Sequence, residues 1–148
     1  MNLLLDTNTF IDYLGRKDPF FPPMRQIVAA AYFGDVSLWV PAQSATDAFY
    51  VMKKYVGSER VQKALMRSFE IIRPVSLMGE DLMQAVTLQW DDFEDCLVAL
   101  CAGKARANYI LTRDVKGFGR SLVPPISPQD WLDMMREEHS LSYDEIPW

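Results

Sequence analysis

The sequence is short of the residues that most hydrolytic and metal sites are built from. It has one histidine, His139, in a polar stretch near the C-terminus, and two cysteines in 148 residues. That argues against a His-based triad, a histidine acid–base pair or a zinc site. Cys96 and Cys101 lie five apart on an expected helix, which turns them to different parts of its surface. They are expected as buried free thiols, in keeping with a reducing cytoplasm. No apolar run approaches membrane-spanning length. The opening MNLLLDTNTF carries an acid inside its apolar stretch, no basic start and no small-residue cleavage site, so no secretory signal is expected. Basic residues are outnumbered, 15 against 20 acids, for a net charge of -5. Overall basicity is thus excluded as a means of binding nucleic acid, while local basic patches stay open. Metal chemistry in this chain has to be carboxylate chemistry, which suits hard ions such as magnesium or manganese.

With 49% apolar and 24% charged residues, the composition is that of a globular protein. Its length suits one domain over residues 1–148, with a polar tail from about 138. NLLLD, VSLWVPA and NYILT are short apolar runs of the kind covered on both faces, and RPVSL and SLVPPI read as shorter strands. Between them stand helical patterns. TFIDYLG stops at Gly15, PMRQIVAAAYFGD has Pro23 near its start and Gly34 past its end, and SATDAFYVMKKYVG has Ser44 as expected N-cap. SERVQKALMRSFEII has Ser58 as expected cap, with Val61, Leu65 and Phe69 on one face. GEDLMQAVTLQW, a helix from Asp92 to about Ala105, and SPQDWLDMMREE with Ser127 as cap complete the series. Strands alternating with helices imply a three-layer α/β/α sandwich with a central parallel sheet. Ligands in such sheets gather at the carboxyl ends of the strands. Asp6 ends NLLLD and Asp114 follows NYILT closely, so both acids belong there.

WDDFEDCLVALCA, residues 90–102, crowds Asp91, Asp92, Glu94 and Asp95 in front of an apolar helix. Asp91 and Asp92 suit the positive end of a helix dipole. Asp6 and Asp114 have a structural reading as turn residues, Asn8 as an N-cap, and Asp47, three residues after Ser44, as part of a capping box. Asp95 is harder to explain so. It lies about a turn into the helix, with Asp91 and Asp92 four and three residues before it, spacings at which like charges repel. A buried, crowded carboxylate must be protonated, paired with a base or bound to a cation. Lys104 and Arg106 lie more than two turns further along, which leaves Arg113 as a candidate base and a divalent ion as the alternative.

LLLDTNTFIDYL, SATDAFYVMKKY, DFEDCLVALCA and YILTRDVKGF together resemble the PIN-domain nucleases, in order and spacing, over nearly the whole chain. The resemblance is nearest to the small bacterial VapC-like proteins, many of them toxin ribonucleases of toxin–antitoxin pairs. It implies a magnesium- or manganese-dependent endoribonuclease with Asp6, Asp95 and Asp114 as metal ligands, Asp47 as a further catalytic acid and Asn8 in support, and Arg113 is expected to assist because it adjoins Asp114. It also implies an RNA substrate, an antitoxin protein, a homodimer and a cytoplasmic location without a membrane partner. The sequence departs from the pattern twice. Asp47 stands where the wider family has Glu, and Asp114 with Gly117 replaces an expected Asn with an acid near 117. A PIN-fold module binding RNA or protein with weak or lost catalysis is the alternative. A phosphatase of the haloacid dehalogenase type needs a second acid two residues after Asp6, where Asn8 stands.

Overall fold

The computed structural model describes residues 1–144. Five parallel strands form one sheet in the order β3-β2-β1-β4-β5: β1 Asn2–Leu5, β2 Ser37–Pro41, β3 Ile72–Val75, β4 Tyr109–Leu111 and β5 Pro125–Ile126. The register pairs Leu4 with Trp39 on one side and with Ile110 on the other. β1 is therefore central and covered on both faces, as its unbroken apolar run requires. Successive side chains alternate across the sheet. Leu3 and Leu5 enter the larger core with Phe10, Met24, Ile27 and Trp131, while Leu4 meets Val98, Cys101, Ile110 and Phe118 opposite.

The first core is closed by helices α1 Thr7–Leu14, α2 Phe21–Tyr32 and α7 Pro128–His139. The second is closed by α6 Phe93–Lys104, whose Cys96 and Cys101 are buried free thiols. Helices α3 Ala42–Val56 and α4 Ser58–Ser68 pack on each other beside α1, and α5 Gly79–Leu88 packs on α6. These layers are the three-layer α/β/α arrangement expected from the strand–helix alternation. Among the described residues, no helix is long and apolar enough to cross a membrane.

Several local expectations are corrected. Ser44 does not cap α3: the helix begins at Ala42, and Ser44 is buried in its first turn, its hydroxyl sharing a 2.8 Å hydrogen bond with Thr7. Gly57, at φ 83°, caps α4 in place of Ser58. Helix α7 runs to His139, and Tyr143 from the expected polar tail is buried, its hydroxyl donating to Asp35 Oδ2 at 2.8 Å. The end of that tail, 145–148, lies outside the described residues.

The chain turns outward from β1 through β2 to β3, then crosses back to add β4 and β5 on the other side of β1. The sheet order thus reverses between β1 and β4, and a crevice opens at their carboxyl ends. Asp6 directly follows the end of β1, and Asp114 lies three residues past the end of β4.

Candidate metal centre

Asp6 is the N-cap of α1. Its Oδ1 accepts from the Thr9 N–H at 2.8 Å, and its Oδ2 accepts from the Thr112 hydroxyl. Its own N–H donates to the Leu111 carbonyl at 3.1 Å, which ties it to the end of β4. The turn-residue reading is therefore correct for Asp6, and it does not use up the carboxylate. Each oxygen has a second lone pair, and the side chain lines a cleft of about 210 Å³ with Asn8, Asp47, Asp92, Glu94 and Asp95.

Asp114 caps a 3-10 turn, Val115–Phe118, its Oδ1 accepting from the Gly117 N–H at 3.1 Å. The Thr112 hydroxyl accepts from the Asp114 N–H at 3.0 Å while donating to Asp6, so one threonine links the two acids. Asp95 meets this pair from the first turn of α6. A Cβ placed on Gly117 would stand 2.6 Å from Asp114 Oδ2 and 2.9 Å from Asp95 Oδ2. Both carboxylates therefore close on the bare face of Gly117, in the space where any side chain would lie.

Asp92 is the N-cap of α6, accepting from the Asp95 N–H at 2.9 Å, and Asp91 is exposed just before it. For these two the helix-terminus reading fits. Asp95 is different. Burial first, then the charges of Asp92, Asp6, Asp114 and Glu94, push its pKa up from 3.8 to about 6. The four charges that push it up are all acids, and among the described residues no salt bridge reaches it. Lys104 is held elsewhere, pairing with Asp81 at 2.6 Å and donating to the Ser76 carbonyl.

Arg113 does not reach these acids either. Its Nη2 donates to Asp12 Oδ1 at 3.3 Å, its Nε stands 2.7 Å from Asp12 Oδ2, and its guanidinium lies 3.9 Å from the Phe20 ring centre. Arg120 donates to the carbonyls of Leu88 and Gln89, a brace between the loop after β4 and the end of α5. Arg113, Lys116 and Arg120 are all exposed, and among the described residues the Lys116 side chain alone of the three has no partner. Across the cleft, Asp47 has no capping task in α3, and burial raises its pKa. Asn8 is exposed on the rim, in the first turn of α1.

Asp6, Asp47, Asp95 and Asp114 are thus gathered at the switch point, whereas Arg113 is turned to Asp12. Among the described residues, no three His, Cys, Asp or Glu side chains already form a ligand set. Unneutralised acids repel, and Asp6 and Asp114 are turned to nearby N–H and O–H donors. The donor chemistry nonetheless fits a hard divalent cation, all oxygen and all anionic, with the cradle kept open at Gly117.

Sequence reasoning missed Asp12, Thr112 and Gly117. Asp12 is buried on α1, a polar residue where the helical period predicts an apolar one, and that was its signal. Thr112 stood at a strand end beside two acids. Gly117 had no signal beyond being a glycine where an acid was expected.

The family model of the PIN domain matches residues 2–116. No curated protein sequence matches significantly. Among solved structures, the VapBC2 structure from Rickettsia felis, bound to a DNA fragment from its promoter, superposes with a TM-score of 0.63 at 14% identity, covering 86% of this chain and 98% of that one. VapC20 of Mycobacterium tuberculosis, described as a sarcin–ricin loop cleaving toxin, gives 0.62 at 12%, covering 79% and 95%. VapBC-1 from nontypeable Haemophilus influenzae gives 0.62 at 20%, covering 87% and 99%. At these identities the likeness is one of fold.

Proposed function

Because the chain belongs to the PIN-domain family, we propose that its acidic cleft is the centre of a magnesium- or manganese-dependent endoribonuclease, the toxin of a toxin–antitoxin pair acting in the cytoplasm. One observation carries this reading. Asp95 is held among Asp6, Asp92, Glu94 and Asp114, and among the described residues no salt bridge reaches it, an arrangement that costs stability unless a cation offsets it.

Asp6, Asp95 and Asp114 would hold the ion. Bound there, it supplies Lewis-acid polarisation of a phosphoryl oxygen and a more acidic water. The chain's own part is to position and to neutralise. Thr112 fixes Asp6 and the Asp114 backbone relative to each other, so the ligands from β1 and β4 keep one geometry. Asp47, whose proton affinity is raised by burial, is placed to hold a proton or orient water from the α3 side. The exposed Asn8 amide and Lys116 ammonium are placed to meet phosphate oxygens. Arg113 is matched by Asp12 and is left out of the phosphate contacts.

Two of the similar folds are VapBC structures, which supports a protein partner here. A groove of about 440 Å³ between α1, α2 and α4 has Tyr13, Phe21 and Val28 among its lining, with Arg16, Arg25 and Arg67. It suits an acidic segment with apolar anchors, as expected of an antitoxin. For a homodimer, helix α4 offers little apolar surface, since Val61 is buried and Leu65 packs against the core, leaving Met66 exposed. Helix α5 presents the broader apolar face, with Met78, Leu82, Met83 and Val86 exposed, and is the better candidate contact.

A second reading is a PIN-fold binding module with weak or lost catalysis, favoured by Asp47 standing where the wider family has Glu and by the net charge of -5. Cleavage of a single-stranded RNA by the purified protein, with magnesium or with chelator, separates the two. The nuclease reading expects cleavage that rises with magnesium and stops in chelator. RNA binding without metal-dependent cleavage supports the module.

A further inference from the structure

Asp47 and Val51, four residues apart on α3, both line the acidic cleft. The next residue of that row is Tyr55, with Lys54 beside it, so one face of α3 carries on from Asp47 for about 12 Å. Val51, Lys54 and Tyr55 are all exposed, Tyr55 to 84%. Among the described residues the Lys54 ammonium has no ion pair, and the Tyr55 ring has no aromatic or cationic neighbour. Tyr50 flanks Lys54 on the other side, with Lys53 Nζ 4.6 Å from its ring centre. That ring already holds a cation, which leaves Tyr55 as the free platform.

Charge and side-chain type together say what this face suits. Helices α3 and α4, residues 42–68, hold five basic and two acidic residues in a chain of net charge -5. Lys63 is taken by Glu59, whereas Lys53 and Lys54 have no acid partner among the described residues. The exposed face of α5 is the opposite case. Its Met78, Leu82, Met83 and Val86 are aliphatic, and the helix carries Glu80 and Asp81 and no base. An aliphatic face of that kind suits a protein contact. An exposed tyrosine among lysines suits a nucleic acid, whose bases stack on aromatic rings and whose phosphates need cations.

We infer that the α3 face is a binding track for an unpaired RNA strand, with a base stacked on Tyr55, phosphates paired with Lys54 and Lys53, and the strand running on into the acidic cleft. The inference rests on the nuclease reading for its place in the reaction but not for the binding itself. A base offers its face to Tyr55 only outside a duplex, so the substrate class is single-stranded: a loop, a bulge or an end. The track also meets an electrostatic need. The acids of the cleft repel phosphate until an ion is bound, and two ammonium groups along the strand hold it against that repulsion.

The test measures binding in chelator, so that it stands whether or not the protein cleaves RNA. A fluorescein-labelled, unstructured RNA of about a dozen nucleotides is titrated with the whole protein by fluorescence anisotropy at several salt concentrations. Tyr55→Ala should weaken binding about tenfold through loss of base–aromatic stacking, with the salt dependence unchanged. Lys54→Gln should weaken it too, and should lower the slope of log affinity against log salt by about 0.7, the share of one phosphate contact to a single strand. Annealing the RNA to its complement should abolish the effect of Tyr55→Ala and keep that of Lys54→Gln. Tyr32→Ala, at an exposed ring on α2, should bind as wild type does. All three side chains are exposed, so the variants should melt with the wild type. RNA that fails to bind, or that binds Tyr55→Ala and Lys54→Gln as it binds wild type, would overturn the track. So would a dimer in sedimentation that Tyr55→Ala turns into a monomer with RNA affinity unmoved, since the face would then belong to a second copy. Magnesium-dependent cleavage that neither variant slows at sub-saturating RNA would sink the track and leave the nuclease reading standing. Binding with the expected responses by a protein that never cleaves would uphold the track and sink the nuclease reading instead.

Discussion

Replacing Asp95 with Asn removes one charge from the crowded cleft while keeping the shape of the side chain, and its effect on stability can be worked from the site. The pKa of Asp95 is raised from 3.8 to about 6, so the folded protein holds this proton more tightly than the unfolded chain does. Stability must then fall as pH rises from about 4 to about 6, and the full penalty stands at neutral pH. Taken whole, that shift corresponds to ~3 kcal/mol. Asp95 is only partly buried, and solvent screening reduces the figure to ~1.5 kcal/mol. Against it stands the favourable placement of an anion in the first turn of α6, worth ~0.5 kcal/mol. Desolvation and repulsion together win by about 1 kcal/mol, the difference of those two figures. In chelator at neutral pH, Asp95→Asn should therefore be more stable than wild type by that amount in denaturant unfolding. The gap should shrink towards pH 4. Excess magnesium should reverse the order, since an ion at about a hundred times its dissociation constant adds ~2.7 kcal/mol to the protein that binds it. A variant less stable than wild type in chelator, by an amount that does not change with pH, would refute the reasoning and make Asp95 a structural acid.

Other outcomes follow from the same geometry. Gly117→Ala would put a methyl group within 3 Å of the Asp95 and Asp114 carboxylates, so cleavage and magnesium affinity should both fall. Its stability, read by thermal melting, should change little because both contacts are with movable side-chain ends. Asp91→Asn removes an exposed charge outside the cap, and should keep nuclease activity while changing stability by no more than ~0.5 kcal/mol. Arg113→Ala leaves Asp12 buried without its base and should cost ~2 kcal/mol or more at neutral pH in denaturant unfolding. Burial raises the Asp12 pKa, so the cost should ease as the pH falls and the carboxyl takes up a proton. Tyr143→Phe removes the 2.8 Å bond to Asp35 and should lower stability by ~1 kcal/mol, the net worth of one hydrogen bond.

The sheet was legible because burial on both faces leaves a plain mark, the unbroken apolar runs of NLLLD and NYILT, and because strand–helix alternation leaves few topologies. The acids of the cleft were legible for a related reason: strand ends and helix starts are where ligands collect, and Asp6, Asp95 and Asp114 fall there in sequence. The departures occurred where a local signal competed with tertiary packing. Ser44 reads as a cap, yet its hydroxyl serves Thr7 from inside the helix. Arg113 adjoins Asp114 in sequence and turns instead to Asp12, a contact across 101 positions that no spacing rule reveals.

The central claim, that Asp6, Asp95 and Asp114 together hold a divalent ion, is tested most directly by anomalous diffraction from crystals grown with manganese. The account predicts a manganese peak in the cleft below Gly117, within ligating distance of carboxylate oxygens from all three acids and lost in Asp95→Asn crystals. A protein saturated with manganese that shows no peak there, or shows its peak elsewhere with the three acids unmoved, would contradict it.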